Sequence, residues 1–438
     1  MKVPPRLIPG RPLLCLVIFV AAFGIYTWRA IDSGRLSSPP EPGDSHDYDA
    51  IAVNLWRLRG YGYFWSDPEY RAPYEGSSRY RSVLGRQSDY YPTAYRPPAL
   101  PVVLSVIYAV TDRNFAAWRV LNCAITAGAV ALAAAIAAHF GGLLAAPVAA
   151  FILLQSPQLT RYSQMFMTEG MAAFFVALLG YVWVANSTRP WTIRTAVACG
   201  LVLGALLATR SIFVLWLSLA IFVPAVPDRS GTRRPWLGKA VCVLSCLLII
   251  SPWWIRNILV TGAFMPTGTQ APLNLPSGFG PRALMYQGLW RSNPGDGTEE
   301  LAAQKVSPFS LEYEVRLAKI RSGVATRWMR ENPGSVLQLL VLHVWQEVRP
   351  SGRPLWDALL PAALIALLVF RKTPAAGMIA LMIFAQLASV ALTWGAGGRF
   401  MVPVLPLSVA VVSAMMVAAV VRSGQLVHRY FGWARQPA

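Results

Sequence analysis

"TAVACGLVLGALLATRSIFVLWLSLAIFVPAVP", residues Thr195 to Pro227, is apolar almost from end to end and is interrupted only at Thr209-Arg210-Ser211. One straight helix of that length would reach roughly 50 Å, well beyond a hydrocarbon core of about 30 Å. The run therefore divides into two short helices, with Arg210 at the tip of the hairpin between them. A guanidinium between two apolar helices belongs at a membrane interface, so lipid is the solvent in which this chain is read.

Composition agrees. Of 438 residues, 55% are hydrophobic and 13% charged, with mean hydropathy +0.45, whereas a soluble domain carries about 25% charged residues. The net charge is +19 and the isoelectric point about 10.2. Apolar segments separate the basic residues and no basic helix carries base-reading polar groups, which sets nucleic acid aside as a partner. Arginines facing anionic lipid headgroups or phosphorylated ligands fit the pattern instead. Five cysteines, all inside apolar stretches and with no Cys-x-x-Cys, suggest neither a disulfide framework nor a zinc site.

Outward from the opening run, apolar segments predict about ten spans: residues 12–30, 115–138, 143–157, 170–186, 195–210, 211–227, 240–255, 355–370, 375–394 and 400–421. The first follows Lys2, Arg6 and Arg11 and continues into Thr27-Trp28-Arg29 with no small-x-small cleavage site, so it reads as a retained helix with a cytoplasmic flank. Arg189 and Arg194, then Arg229, Arg233, Arg234 and Lys239, then Arg371 and Lys372, then Arg422, Arg429 and Arg435 fall on that same side, which the positive-inside rule makes cytoplasmic. Two hydrophilic regions, 31–114 and 256–354, then lie outside within a single 1–438 membrane domain. The run Ala99 to Val110 is too short to span and should lie along the interface or dip into it.

The first outer region holds a cluster of carboxylates, "GDSHDYDAIAVNLWRLRGYGY" (Gly43–Tyr63). Three readings compete there. Tyr48, Ile51, Ala52, Leu55, Trp56 and Leu58 mark an amphipathic helix able to lie on a membrane, for which Asp44 is a natural N-cap and Asp47 a capping-box partner. Hard cations accept clustered carboxylates, so Asp44, His46, Asp47 and Asp49 also suit a divalent metal, although Asp47 and Asp49 would point to different faces of a helix. The third reading is a catalytic carboxylate at the membrane surface. A second acid, Glu169 in "MTEGMAAFF", sits at the outer mouth of a predicted span, where an ionised side chain needs a partner or an aqueous cavity. Its alternative is a favourable place at a helix N-terminus capped by Thr168.

In order along the chain, these pieces resemble the membrane-embedded GT-C glycosyltransferases, and more closely the family 39 branch of protein O-mannosyltransferases and lipid A aminoarabinose transferases. "DSHDYDAIAVNLWRLRGYGY" resembles the family's Asp-x-x-x-Tyr-x-x-x-Ala-x-Asn-Leu pattern, "YRPPALPVVLSVIYAV" its Lys/Arg-Pro-Pro-leucine stretch, and "MTEGMAAFF" its Thr-Glu/Asp motif. "GALLATRS" is similar to its Leu-Leu-Thr-Arg/Lys, "SPWWIRNILVTGAFMPTGT" to its Pro-Trp-x-x-Arg-Asn-x-x-x-x-Gly, and "GGRFMVPVLPL" to its Arg-Tyr-x-x-Pro-x-x-Pro. Phe400 stands where Tyr is usual, and Ser211 follows Arg210 where Pro is common.

The resemblance implies an all-α integral membrane GT-C bundle with extracytoplasmic loops and juxtamembrane helices. Its implied activity is transfer of a sugar from a polyprenyl-phosphate carrier to a lipid, glycan or protein acceptor at the outer face of the plasma (inner) membrane. It implies Asp44 as general base with Glu169 as its companion. Tyr48, Arg96, Arg210, Arg256, Asn257 and Arg399 are implied for substrate binding, since a departing lipid phosphate needs cations at that interface. No cofactor is expected to be required, and a divalent metal stays open. A lipid-linked sugar flippase or transporter would place its ionisable groups near the bilayer midplane. An O-antigen ligase or polymerase would need a diphosphate-linked donor and a large late outer loop.

Overall fold

A computed structural model describes residues 11–227, 233–292, 297–349 and 353–433 of the chain. Lys2, Arg6, Arg229 and Arg435, used above for orientation, lie outside the described residues. The architecture is helical, and its two small antiparallel ribbons pair residues 62–63 with 91–92 and 226–227 with 233–234. Six helices are long and apolar enough to cross a membrane: Pro12–Asp32, Phe115–Gly141, Glu169–Asn186, Trp236–Thr261, Pro374–Ala391 and Arg399–Ser423. Five shorter apolar helices accompany them, Ala99–Thr111, Ala145–Leu154, Ile193–Thr209, Ser211–Phe222 and Leu359–Val369. The chain is a multi-pass membrane protein.

Among the described residues six of the ten expected spans fall on these long helices, and the other four (143–157, 195–210, 211–227 and 355–370) fall on the shorter ones. The opening run does break at Arg210, whose extended backbone (φ −152°, ψ 131°) ends the helix Ile193–Thr209. The second half, Ser211–Phe222, is a 3₁₀-helix. At about 2.0 Å per residue it covers more depth than an α-helix of equal length. The expected span 240–255 is part of one longer helix, Pro235–Thr261, that runs through Pro252. The second hydrophilic region therefore begins after Thr261 rather than at residue 256, and Arg256 and Asn257 sit inside a helix.

The larger correction concerns the acidic stretch. Asp44–Trp56 is a helix, but every residue from Ser45 to Asn54 is buried, so it is an internal element rather than a surface one. Its N-cap is Gly43 at φ 111°, with no side-chain cap, and Asp47 makes no capping box. Away from this layer the helices meet through small residues. Gly200 and Gly204 of Ile193–Thr209 lie against Cys242 and Cys246 of Pro235–Thr261, and a methyl group built on Gly200 would come within 2.2 Å of the Cys242 carbonyl oxygen. This is a small-xxx-small contact that lets two backbones approach without side chains between them.

Gly200→Val should separate this pair and lower the thermal melting point of the detergent-solubilised protein, with an overpacking cost of about 1–3 kcal/mol. Gly323→Val, at a helix position with nothing within 4 Å of the added carbon, is the matched control and should leave stability unchanged or slightly raised, since valine is the better helix former of the two. Equal melting points for both variants would remove the close contact as a source of stability.

Candidate active site

The buried helix Asp44–Trp56 points its acids in different directions, and each finds a cation or an aromatic wall. Asp49 is fully buried and accepts from Arg113 Nη2 at 2.6 Å and from the hydroxyls of Tyr74 and Tyr108, tying the first hydrophilic loop to the helix Ala99–Thr111. His46 lies between the rings of Tyr74 and Tyr80, and burial lowers its pKa to about 4, so it is neutral. Asp47 accepts from Arg86 Nη1 at 3.1 Å and from Arg96 Nε and Nη2 at 3.0 and 2.7 Å. Only Asp44, first in the helix, faces a cavity.

From Asp47 the charges alternate without interruption. Arg96 Nη2 reaches Asp44 Oδ1 at 2.6 Å, and Arg399 Nη2 reaches Asp44 Oδ2 at 3.0 Å. Arg399 Nε also donates to Glu169 Oε1, and Arg210 Nη1 stands 2.6 Å from that same oxygen. The order is Arg86, Asp47, Arg96, Asp44, Arg399, Glu169, Arg210, a chain that begins and ends on arginine. Glu169 is wholly buried while the side chains of Asp44 and Arg399 keep 30% and 28% exposure, so the middle of the chain is open, as is its Arg86 end at 42%. Burial alone would push the Asp44 carboxyl up. Arg96 and Arg399 outweigh it and hold the group below the ordinary carboxylate range.

The open middle faces a cavity of about 570 Å³. Asp44, Tyr48, Arg96, Arg210, Arg399 and Phe400 form its charged side, Ile212, Val214 and Leu215 of the 3₁₀-helix an apolar side, and Tyr95, Gln270, Asn274 and Trp290 a third wall. Two backbone loops bring the cations there. Glu347 accepts from the backbone N–H groups of Ala396 and Phe400 (2.8 Å for Phe400), which brackets the loop that carries Arg399. Burial raises the Glu347 carboxyl above its usual value, and the donated N–H bonds offset part of that. Glu314 does the same for the turn before Arg96, accepting from Thr93 Oγ1 at 2.6 Å, from Ala94 N at 3.0 Å and from the Thr269 hydroxyl.

Of the residues singled out from the sequence, the structure gathers Asp44, Tyr48, Arg96, Arg210 and Arg399 at one cavity, with Glu169 directly behind. Arg256 and Asn257 are elsewhere. Arg256 donates to the carbonyls of Thr93 (2.6 Å) and Tyr61 (2.8 Å) and lies against the Tyr61 and Trp253 rings, while Asn257 is fully buried beside it. Arg256 thus holds the same turn that Glu314 holds. Glu314, Glu347, Asn274 and Trp290 were missed in the sequence because each acts through backbone or neighbours distant in the chain, with no local motif. Among the described residues no group of three or more His, Cys, Asp or Glu side chains is gathered for a metal.

No protein-family model matches the chain, and no curated protein does. Solved structures do. They share its fold. ArnT from Cupriavidus metallidurans in the apo state superposes with a TM-score of 0.51 at 14% identity, over 91% of this chain and 59% of that one. The same enzyme bound to undecaprenyl phosphate gives 0.51 at 13% identity, with the same coverage. The chain thus spans about three-fifths of the length of the protein it superposes on. At that identity the likeness is one of fold.

Arg256→Lys should lower thermal stability, because one ammonium cannot reproduce the forked contact with two carbonyls. An orphaned buried carbonyl costs about 1–3 kcal/mol, read as a drop in melting temperature in detergent. A variant as stable as the parent would show that those two bonds do not hold the turn.

Proposed function

We propose that the chain transfers a sugar from a polyprenyl-phosphate carrier to an acceptor at the extracytoplasmic face of the plasma membrane. The observation that carries this reading is the alternating ion chain. Its four guanidinium groups face three carboxylates; Arg86 stands 42% exposed away from the cavity, while Arg96, Arg210 and Arg399 line it with Asp44 as the one lining carboxylate among the described residues, beside an apolar wall. A phosphodiester supplies one negative charge, and a prenyl tail suits Ile212, Val214 and Leu215. Arg210 ends the chain and Arg399 stands in its open middle, and both line the cavity where they can meet a phosphate.

In the reaction, the acceptor's nucleophilic oxygen attacks the anomeric carbon and the bond from that carbon to the phosphate oxygen breaks. The acceptor proton passes to Asp44, and the departing polyprenyl phosphate gains a second negative charge that Arg399 and Arg210 stabilise. A carboxylate gripped by two guanidinium groups is a weak base. The donor phosphate competes for Arg399, loosens its hold on Asp44 and raises the basicity of that carboxylate when it is needed.

Asp44→Asn keeps the shape and removes the base, so release of polyprenyl phosphate from polyprenyl-phosphate sugars in nanodiscs should fall by about 10²–10⁴-fold. In the parent enzyme kcat/KM reports the free site and kcat the donor complex. The acid limb of kcat should therefore lie at higher pH than that of kcat/KM. Turnover of Asp44→Asn at the parent rate would remove Asp44 as base, and consumption of a diphosphate-linked donor alone would move the protein to the ligase class.

The orientation has its own test. Cysteine at Ser77, exposed in the first hydrophilic region, should react with a membrane-impermeant maleimide in intact cells, and cysteine at Thr188, exposed at the other end of the bundle, should not. The opposite pattern would place the site in the cytoplasm.

A further inference from the structure

The third wall of the cavity has no part in holding phosphate, and its chemistry is of another kind. Trp290 keeps 39% of its surface exposed, although its backbone is fixed by a bond from its N–H to the Gly395 carbonyl at 2.8 Å. Its indole Nε1 donates to Asn274 Oδ1 at 3.1 Å, and Asn274 Nδ2 lies 3.5 Å from the Tyr95 hydroxyl. Gln270, one helical turn before Asn274, makes no side-chain hydrogen bond among the described residues, so its amide is free to donate and accept. The Tyr95 phenol is pushed up by burial and stays a neutral hydroxyl. The wall is thus an exposed aromatic face bordered by uncharged donors and acceptors, the combination that suits the C–H face and hydroxyls of a sugar ring.

Charge narrows the ligand further. The cavity is lined by Arg96, Arg210, Arg291 and Arg399 against a single lining carboxylate, Asp44, among the described residues. Both oxygens of Asp44 are already engaged by Arg96 and Arg399. A phosphodiester meets the arginines that line the cavity, and Arg291 adds a further cation to that lining. An ammonium group on the ring would find no lining carboxylate but Asp44, which Arg96 still holds when the phosphate draws on Arg399, and a partly desolvated charge without a partner of its own is costly.

Resting on the glycosyl-transfer reading, we propose that Tyr95, Gln270, Asn274 and Trp290 hold the donor's sugar ring, that this sugar carries no positive charge, and that the wall discriminates against amino sugars. The ring belongs to the donor because it is joined directly to its phosphate, and Tyr95 adjoins Arg96 in the chain and stacks against its guanidinium at 4.6 Å.

The test measures binding to the full chain in nanodiscs with three probes: undecaprenyl phosphate, undecaprenyl phosphate bearing glucose, and undecaprenyl phosphate bearing a 4-amino-pentose. The glucose-bearing lipid should bind at least tenfold more tightly than the bare carrier, and the amino-sugar lipid no more tightly than the bare carrier. Trp290→Leu, at an exposed position, should abolish the tenfold gain and leave the bare carrier's affinity within twofold. Asn274→Ala should reduce the gain as well, since it removes the acceptor that Trp290 Nε1 bonds. Equal affinity for the amino-sugar and glucose lipids would overturn the proposal, as would a Trp290→Leu variant that retains the gain or loses the bare carrier equally. If the parent protein binds none of the three lipids, the glycosyl-transfer reading fails with it, whereas tight binding of the bare carrier without sugar discrimination sinks only the wall.

Discussion

Everything around the candidate site depends on keeping buried charge compensated. An ionised group in a low-dielectric interior costs several kcal/mol unless a partner and further hydrogen bonds meet it, and the chain buries Glu169, Asp47 and Arg96 almost completely. It does so by strict alternation, so that no two like charges are adjacent from Arg86 to Arg210. Removing any one member strands its neighbours. The same alternation explains why the elements that supply them, from residue 44 to residue 399, must converge at one place: each brings a charge that its own surroundings cannot neutralise.

Much of this was legible in the sequence. Apolar runs gave the spans, and the interruption at Arg210 marked a true break, because no α-helix of that length fits a bilayer. Glu169 stood out since a charge flanked by apolar residues demands an explanation wherever it sits, Asp44 through its acidic cluster, and Arg96 and Arg399 through the motifs that carry the family resemblance. What stayed hidden was long-range. Periodicity suggested a surface helix at Asp44–Trp56, yet the structure buries it, because its polar residues find partners in segments 25 to 64 positions away, such as Tyr74 and Arg113 for Asp49. Local patterns register which residues are polar and cannot register that they are satisfied.

Arg256 shows the same limit from the other side. A guanidinium beside paired tryptophans at the end of an apolar run has the composition of a phosphate ligand and the composition of a structural clamp, and both readings need a planar fork of donors. The acceptors decide between them, and here they are the carbonyls of Tyr61 and Thr93. No sequence motif encodes a carbonyl's direction. Glu314 and Glu347 were invisible for the matching reason, since each accepts backbone N–H groups that any residue type could present.

These backbone bonds have a consequence for the cations themselves. If Arg96 and Arg399 were positioned only by Asp44 and its neighbours, a phosphate that competed for their guanidinium groups would also loosen their placement. Instead Arg96 follows a turn held by Glu314 and Arg256, and Arg399 sits in a loop bracketed by Glu347. The anchors lie outside the ion chain, so an anion can redistribute hydrogen bonds among the side chains while their backbones stay fixed. Donors already aimed at the place where negative charge develops need little reorganisation, and in preorganised sites that is where most of the electrostatic advantage arises. The paired carboxylates behind the loops thus matter as much to the cavity as the one carboxylate that faces it.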